Sequence, residues 1–493
     1  MTATDRAPRD GVWDLLAIGG GTAGLVGART AASFGASVLM VERDRPGGDC
    51  LWTGCVPSKA LLAAASAAAD ARGAGRLGVH VDGVRVAFGE VMAHVRGAIA
   101  TIEPVDSPEA MRAAGVAYMA GTATFTGPAS AEIDGVPVRF RQALVATGSD
   151  PAVPPIPGLA DADPLTSDSV WDLTERPDRL VVLGGGTIGC ELGQAFARLG
   201  STVTIVEALD RLMTNEEPDA ARLVTEALTG DGATVLTGTP VTAVEGADVV
   251  LGDGRRIVAD RVLVAVGRRP DTRGLGLDSA GVATTDRGFV TVDAHLRTSN
   301  PRIWAAGDVT GHPQFTHVAG VHGSTAASNA VLGLWRAAEV TAIPRVTFTS
   351  PEVAAVGLPA GSAGTTTRTR HHDEVDRAIT EGRAAGYSRL VLDRRGRVVG
   401  ATVVGPRAGE TLAELTLAVR RGLRARDLAG VMHPYPTWGD GPWNAAVAEV
   451  RDQLAGPVAR RASRALAATR RRWLDRRASE PRPTPVSAAP GTR

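Results

Sequence analysis

Short apolar runs alternate with longer Ala-rich stretches through the first two thirds of the chain. Runs such as "DLLAI" (14–18), "SVLMV" (37–41), "RLVVL" (179–183) and "TVTIV" (202–206) predict strands. The stretches between them, "TAGLVGARTAASFG" and "TIGCELGQAFARLG", predict helices. After "TAIPRV" the style changes: "RLVLDRRGRVVGATVVG" (389–405) reads as a β-hairpin with "DRRG" at its turn. "GETLAELTLAVRRGL" (409–423) has the spacing of an amphipathic helix, so this part is a separate α+β domain.

These elements form an internal repeat. Residues 14–42 and 179–207 align without a gap, each as strand, glycine-rich turn, helix and second strand ending in glutamate. Glu42 and Glu207 each lie 23 residues after the first glycine of their copy. Both copies carry G-x-G-x-x-G. Gly19 and Gly184 allow the tight turn, Gly21 and Gly186 let backbone approach a pyrophosphate, and Gly24 and Gly189 let helix and strand pack closely. The glutamates sit where a carboxylate accepts from ribose hydroxyls. Two copies predict two nucleotide sites, hence two cofactors. Similar return strands follow, "ALVATGSDP" (143–151) and "VLVAVGRRP" (262–270), and "IWAAGDV" (303–309) places Asp308 at a strand's carboxyl end.

Composition narrows the class. The 493 residues hold 53 basic and 53 acidic side chains, so no long-range field favours nucleic acid. No signal-peptide pattern and no membrane-spanning apolar run occur, so a cytoplasmic protein is expected. Three cysteines make no secreted disulfide framework. Two of them, Cys50 and Cys55, stand in "GGDCLWTGCVPSK", whose Lys59 is the only lysine in the chain. A regular helix would hold residues five apart too far for a disulfide, so Gly54 and Pro57 must break it, with the helix starting near Pro57. Cys55 would then lie beside a helix N-terminus that favours its thiolate. Zinc is the competing reading, but ligands are too few, and no metal site is expected. A redox-active disulfide accounts better for the pair.

"GGDCLWTGCVPSKAL", with the paired glycine motifs, resembles the flavoprotein pyridine nucleotide–disulfide oxidoreductases, the class I group containing dihydrolipoamide dehydrogenase and mercuric reductase. The likeness spans roughly residues 13–455. It implies an α/β fold with two Rossmann-like domains for FAD and NAD(P) and a C-terminal α+β dimerisation domain. The corresponding ranges are 13–155 and 265–340 for FAD, 156–264 for NAD(P) and 341–455 for the interface of a homodimer. Residues 1–12 would be a flexible N-terminus and 456–493 an Arg-rich tail, partly disordered.

The resemblance also implies roles. Cys55 would face the flavin and Cys50 exchange with substrate, while Lys59, paired with Glu191, would sit by the flavin's reactive edge. Gly121, Thr147, Gly148, Ser149, Asp308, Gln314, Phe315, Thr316 and His317 would join Gly19, Gly21, Gly24 and Glu42 in contacting FAD. Gly184, Gly186, Ile188, Gly189, Glu191, Glu207, Val241 and Gly267 would contact NAD(P)H. Glu207 favours NADH, because a carboxylate repels a 2′-phosphate; Arg211 keeps NADPH open.

One stretch departs from the family. Where dithiol reductases carry His-Pro-Thr-x-x-Glu, this chain has "HPYPTWGD". Tyr435 takes the histidine's place and Asp440 the acid's, with His433 two residues upstream as an alternative base. A tyrosine here resembles mercuric reductases, yet no cysteine follows Cys190, so their C-terminal thiol pair is missing. The expected activity is NAD(P)H-driven reduction, through FAD and the Cys50–Cys55 pair, of a thiol/disulfide or soft-metal substrate. A diaphorase-like reduction of quinones or dyes is the first alternative, and a non-catalytic FAD-bound redox-sensing partner the second. His371 and His372 are expected in solvent, Cys190 in packing, and Trp438 either at the substrate approach or in an interface. The run 458–477, with Val458, Ala462, Leu466 and Trp473 loosely on one side, reads as an exposed basic tail, contact with an anionic membrane surface being the other reading.

Overall fold

The computed structural model describes residue 8 and residues 10–478. The flexible start expected for 1–12 lies largely outside the described residues, and the disordered end from 479 wholly outside.

The two repeats fold alike. Val12–Ile18, Thr22–Ser33 and Val38–Glu42 form one βαβ unit; Arg179–Leu183, Thr187–Leu199 and Thr202–Val206 form the other. In each, the strands run parallel, from Leu15↔Val38 to Ile18↔Val41 and from Leu180↔Val203 to Leu183↔Val206. Their near-continuous apolar runs suit strands covered on both faces: Leu15, Leu16 and Val182 are fully buried. The first unit extends on one side to Ala117–Ala120 and on the other to Val136–Val145, which also pairs with Ile303–Ala305 and with the hairpin Ala123–Gly127/Ser130–Ile133. The second is flanked by Thr234–Leu236 and Arg261–Val264, with a small antiparallel sheet, Val241–Glu245, Asp248–Leu251 and Arg256–Val258, beside it.

Small residues bring two helices together at the site. Gly323, on the helix Thr316–Leu332, lies so near the helix Thr22–Ser33 that an added Cβ would stand 2.3 Å from the Ala23 carbonyl oxygen. That approach sets Thr316, the helix's first residue, beside the cysteine segment. The ends of the two return strands, Ser149–Pro151 and Arg268–Pro270, pair antiparallel and tie the two nucleotide-binding halves together.

The last sheet is antiparallel, ordered Arg345–Thr347, Glu352–Gly357, Val398–Gly405, Tyr387–Asp393, Thr365–His371. The helix Ala408–Arg421 lays Leu412, Leu415 and Ala418 on it. Glu217 clamps this sheet to the second repeat. Buried at 4% exposure, its carboxylate accepts from Arg389 Nη1 at 2.6 Å, Ala360 N at 2.9 Å and the Tyr387 and Thr402 hydroxyls at 3.1 Å. A buried carboxylate is stable only when its lone pairs are filled in this way.

Candidate active site

Cys50 is the third residue of a short helix, Gly48–Trp52, and Cys55 opens the helix Cys55–Gly73. The second helix therefore starts two residues earlier than expected, at Cys55 rather than Pro57. Gly54 makes the break, packed so closely that a Cβ there would be 2.8 Å from the Asp49 carbonyl oxygen. The break brings the two sulfurs into hydrogen-bonding contact. They stand as free thiols, the reduced state of a redox-active pair.

The two thiols are electrostatically unequal. Cys55 is pulled down from 9.0 to about 6, first by the hydrogen bond from Cys50, with further help from the Thr316 hydroxyl and the Lys59 charge. Burial and Glu191 oppose the shift. The Thr316 oxygen lies 3.2 Å from the Cys55 sulfur. Cys50 is pushed up, because its proton is held in the bond to Cys55 and because it is buried. One sulfur is thus a nucleophilic thiolate at neutral pH and the other its proton-bearing partner.

One turn along the same helix, Lys59 donates to Glu191 at 3.0 Å and lies 4.2 Å from the Phe348 ring centroid. Glu191 is 4% exposed, and its other oxygen accepts from Phe348 N at 2.8 Å. The pair links the cysteine helix to the helix of the second repeat.

These groups face a single cavity of about 1840 Å³. Pockets for one small ligand span roughly 300–1,000 Å³, so this space suits two dinucleotides better than one. Of the residues expected to contact FAD, Gly19, Gly21, Glu42, Lys59, Gly121, Thr147, Gly148, Ser149, Asp308, Gln314, Phe315, Thr316 and His317 line it. Of those expected to contact NAD(P)H, Gly184, Gly186, Ile188, Glu191, Glu207, Val241 and Gly267 line it. Gly24 and Gly189 do not reach the cavity. They sit behind the turns, where a Cβ at either would be 1.9 Å from the carbonyl oxygen of Gly19 or Gly184. Gly19 and Gly184 hold φ of +106° and +103°, conformations that favour glycine.

The glutamates repeat their geometry as well. Glu42 Oε2 accepts from Gly20 N at 2.5 Å and Oε1 from Asp44 N at 2.8 Å; Glu207 accepts from Gly185 N at 2.7 Å and Leu209 N at 2.9 Å. Each carboxylate is fixed at the turn, with lone pairs left for a ribose. Arg211 points elsewhere. Its guanidinium donates to the carbonyls of Thr214 at 2.7 Å, Met213 at 3.0 Å and Glu216 at 3.1 Å, and it does not line the cavity. The doubled glycine turns, the fixed carboxylates and the cavity's size fit FAD and a nicotinamide dinucleotide.

Three residues of the site were not legible in sequence. Arg268 donates to Ser149 Oγ at 2.8 Å and pairs with Asp49, 219 positions away; Ser149 in turn donates to Asp308 at 2.8 Å. Burial pushes Asp49 up to about 6 despite Arg268. Trp171 donates to the Thr53 carbonyl at 2.8 Å, bracing the cysteine segment. A charge flanking Cys50 was the only signal available for any of them.

The substituted acid–base stretch lies apart from this chain's own cavity. Tyr435 is exposed, and its hydroxyl donates to Asp376. Asp440, placed at the acid's position, is buried and accepts from Thr437 N at 3.0 Å, so Asp376 rather than Asp440 is the acidic partner of Tyr435. His433 Nε2 is held by Glu414 at 2.8 Å. His372 is buried, contrary to the expectation, and lies 5.4 Å from Trp438, which is itself turned inward at 5% exposure. His371 is exposed. Cys190 is fully buried and its thiol is pushed up to about 12 by that burial, as suits a packing residue. Among the described residues no cluster of three or more His, Cys, Asp or Glu could hold a metal ion.

Comparison with known proteins follows the same lines. Residues 13–323 match the family described as pyridine nucleotide-disulphide oxidoreductase, and residues 343–446 match its dimerisation domain. A mercuric reductase of Streptomyces lividans is 40% identical over 448 residues, 87% of this chain and 94% of that protein. A dihydrolipoyl dehydrogenase of Thermus scotoductus is 37% identical over 471 residues, 88% of this chain and 97% of that one. The crystal structure of LpdA from Mycobacterium tuberculosis superimposes with a TM-score of 0.81 at 29% identity, covering 88% of this chain and 99% of that one. With its doubled nucleotide-binding units, its paired thiols and its dimerisation domain, the chain belongs to the class I pyridine nucleotide–disulfide oxidoreductases.

Proposed function

We propose that this enzyme uses NADH to reduce its Cys50–Cys55 pair and passes the electrons to a disulfide or a thiolate-bound soft metal ion in the cytoplasm, working as a homodimer. The observation that carries the reading is the pair of free thiols lining the cavity, with Cys55 3.2 Å from the Thr316 hydroxyl and lowered while Cys50 is raised. FAD, when bound, carries the reducing equivalents from the nicotinamide to the sulfur pair. The chain's own residues position and polarise. Lys59, fixed by Glu191, sets a compact positive charge beside Cys55. Asp308 and Ser149, locked through Arg268, present oriented polar groups along the same wall.

NADH is favoured because Glu207 holds the ribose end of its turn while Arg211 is committed to three carbonyls. The soft-metal side of the reading draws on Tyr435. A hydroxyl bound to Asp376, and held above the usual tyrosine range by that carboxylate, is a poor general base at neutral pH. A substrate that needs little proton transfer suits it better than an ordinary dithiol. Thiolates bind soft ions, as the mercuric reductases among the relatives suggest.

Anaerobic titration with NADH tests the reading. Two electrons should reduce the sulfur pair and give long-wavelength absorption from thiolate against a flavin that is still oxidised, and only two further electrons should bleach the flavin's oxidised band. The reduced sample is then mixed separately with a disulfide, a quinone and Hg(II). Reoxidation by the disulfide or Hg(II), lost in Cys50→Ser, supports the proposal. Reoxidation by the quinone alone, unchanged in a Cys50→Ser/Cys55→Ser variant, identifies a diaphorase instead.

A further inference from the structure

The family's dimerisation domain ends at residue 446, and the helix Asp440–Ala455 completes the fold. The chain then turns at Gly456 and forms another helix, Pro457–Ala478, of 22 residues, none of them buried. An isolated helix of that length, about 33 Å, gains little stability from its own hydrogen bonds, so an unburied one calls for a surface to lie on.

Its composition identifies the surface. The helix carries eight arginines and one aspartate, net +7, in a chain whose 53 basic and 53 acidic groups balance; the remainder is therefore net −7. It is a local inversion of charge rather than a sample of a basic protein. At about 100° per residue, Val458, Ala462, Leu466, Thr469 and Trp473 fall within roughly 80° of one another. Between Val458 and Trp473 no charged residue falls on that stripe; Arg476 returns to its line only beyond Trp473, and Arg460, Arg461, Arg464, Arg470, Arg471 and Arg472 occupy the rest of the circumference. Val458 is 80% exposed, Leu466 71% and Trp473 40%. The guanidinium carbons of Arg470 and Arg477 lie over the Trp473 ring, 4.0 and 4.4 Å from its centroid, so cations stack on the indole while the ring stays 40% exposed.

We propose that the helix Pro457–Ala478 docks the enzyme on an anionic lipid surface, with the Val458–Leu466–Trp473 stripe at the acyl boundary and the arginines among the headgroups. Both halves of the pattern are what an in-plane interfacial helix requires. A nucleic-acid backbone would use the arginines and leave the stripe in water. No helix among the described residues is long and apolar enough to cross a membrane, which agrees with lying on it.

The test uses the full-length holoenzyme in co-sedimentation with vesicles of phosphatidylcholine plus phosphatidylglycerol, and of phosphatidylcholine alone. The wild type should pellet with the anionic vesicles only. Leu466→Glu/Trp473→Glu should weaken that binding at least about tenfold, because it puts charge into the buried stripe. Arg470→Gln/Arg471→Gln/Arg472→Gln should weaken it comparably and reduce its salt dependence. Flavin content and NADH–ferricyanide turnover of the variants report that the enzyme remains folded. Absence of wild-type binding to anionic vesicles overturns the proposal. So does unimpaired binding of the Leu466→Glu/Trp473→Glu variant with displacement by duplex DNA, which marks a polyanion-binding tail. Helix-dependent self-association in place of lipid binding, seen by sedimentation velocity, would assign the helix to a second copy and overturn it too.

Discussion

Replacing Cys50 by alanine isolates the origin of the Cys55 thiolate. In the wild type the largest contribution to its lowered pKa is the hydrogen bond from Cys50, ahead of Thr316 and Lys59. A hydrogen bond to a charged group contributes roughly 1.5–3 kcal/mol. At 1.36 kcal/mol per pKa unit that is about one to two units. Cys50→Ala should therefore move the Cys55 midpoint from about 6 to roughly 7–8. Because the folded value is depressed, the thiolate dominates above the midpoint and is lost as pH falls through it. At pH 7 its share would drop from about nine tenths to between a half and a tenth. The assay is the pH dependence of iodoacetamide alkylation of the reduced holoenzyme. Cys190, fully buried and pushed up to about 12, does not react in the same range, so the variant reports a single thiol. Thr316→Val should move the midpoint the same way by a smaller amount, its bond being 3.2 Å long and exposed. A midpoint that stays near 6 in Cys50→Ala would refute the assignment and leave the helix N-terminus and Lys59 as the source of the thiolate.

Lys59→Arg should slow NADH-driven flavin reduction about tenfold or more with flavin content unchanged, since a planar fork does not replace a compact ammonium; unaltered stopped-flow traces would rule this out. The two repeats should separate by substitution. Gly24→Ala would be purified without flavin, whereas Gly189→Ala would keep flavin and lose NADH binding in calorimetry, because each Cβ would meet a carbonyl oxygen at 1.9 Å. Glu207→Gln should raise the NADPH-to-NADH ratio of kcat/KM about tenfold by removing repulsion of a 2′-phosphate, a change read directly from steady-state kinetics with both donors. Glu217→Ala leaves Arg389 and Tyr387 without their buried partner and should cost about 3–5 kcal/mol in denaturant unfolding; a loss well below that would show that the clamp contributes little.

How far the chain could be read without coordinates differs from feature to feature. The repeat, the glycine turns and the strand ends at Glu42 and Glu207 were legible because they depend on neighbours a few residues away. A glycine at positive φ and an apolar run flanked by turns carry their meaning locally. The carry-over of Glu191 onto Lys59 came from resemblance, and the 3.0 Å ion pair agrees with it. The start of the cysteine helix was misplaced by two residues because proline at a first turn is a permissive signal, compatible with more than one register. His372 looked solvated by its polar company, yet the short 3-10 turn His372–Glu374 that follows the strand Thr365–His371 buries it against Trp438.

What the sequence by itself determined is the plan: two nucleotide-binding units, a reactive cysteine pair between them, one lysine four residues on, and a histidine replaced by tyrosine. The first three follow from local stereochemistry and motif spacing, and the last from the resemblance of "HPYPTWGD" to the family's His-Pro-Thr-x-x-Glu. Only the tertiary structure decided that the bond from Cys50 leads in lowering the Cys55 thiol, that Asp376 and not Asp440 accepts the Tyr435 hydroxyl's hydrogen bond, and that Arg268 reaches Asp49 across 219 positions. Those outcomes rest on hydrogen bonds and charges brought within a few ångströms by packing, and electrostatic effects of that kind depend on distance and burial rather than on order along the chain.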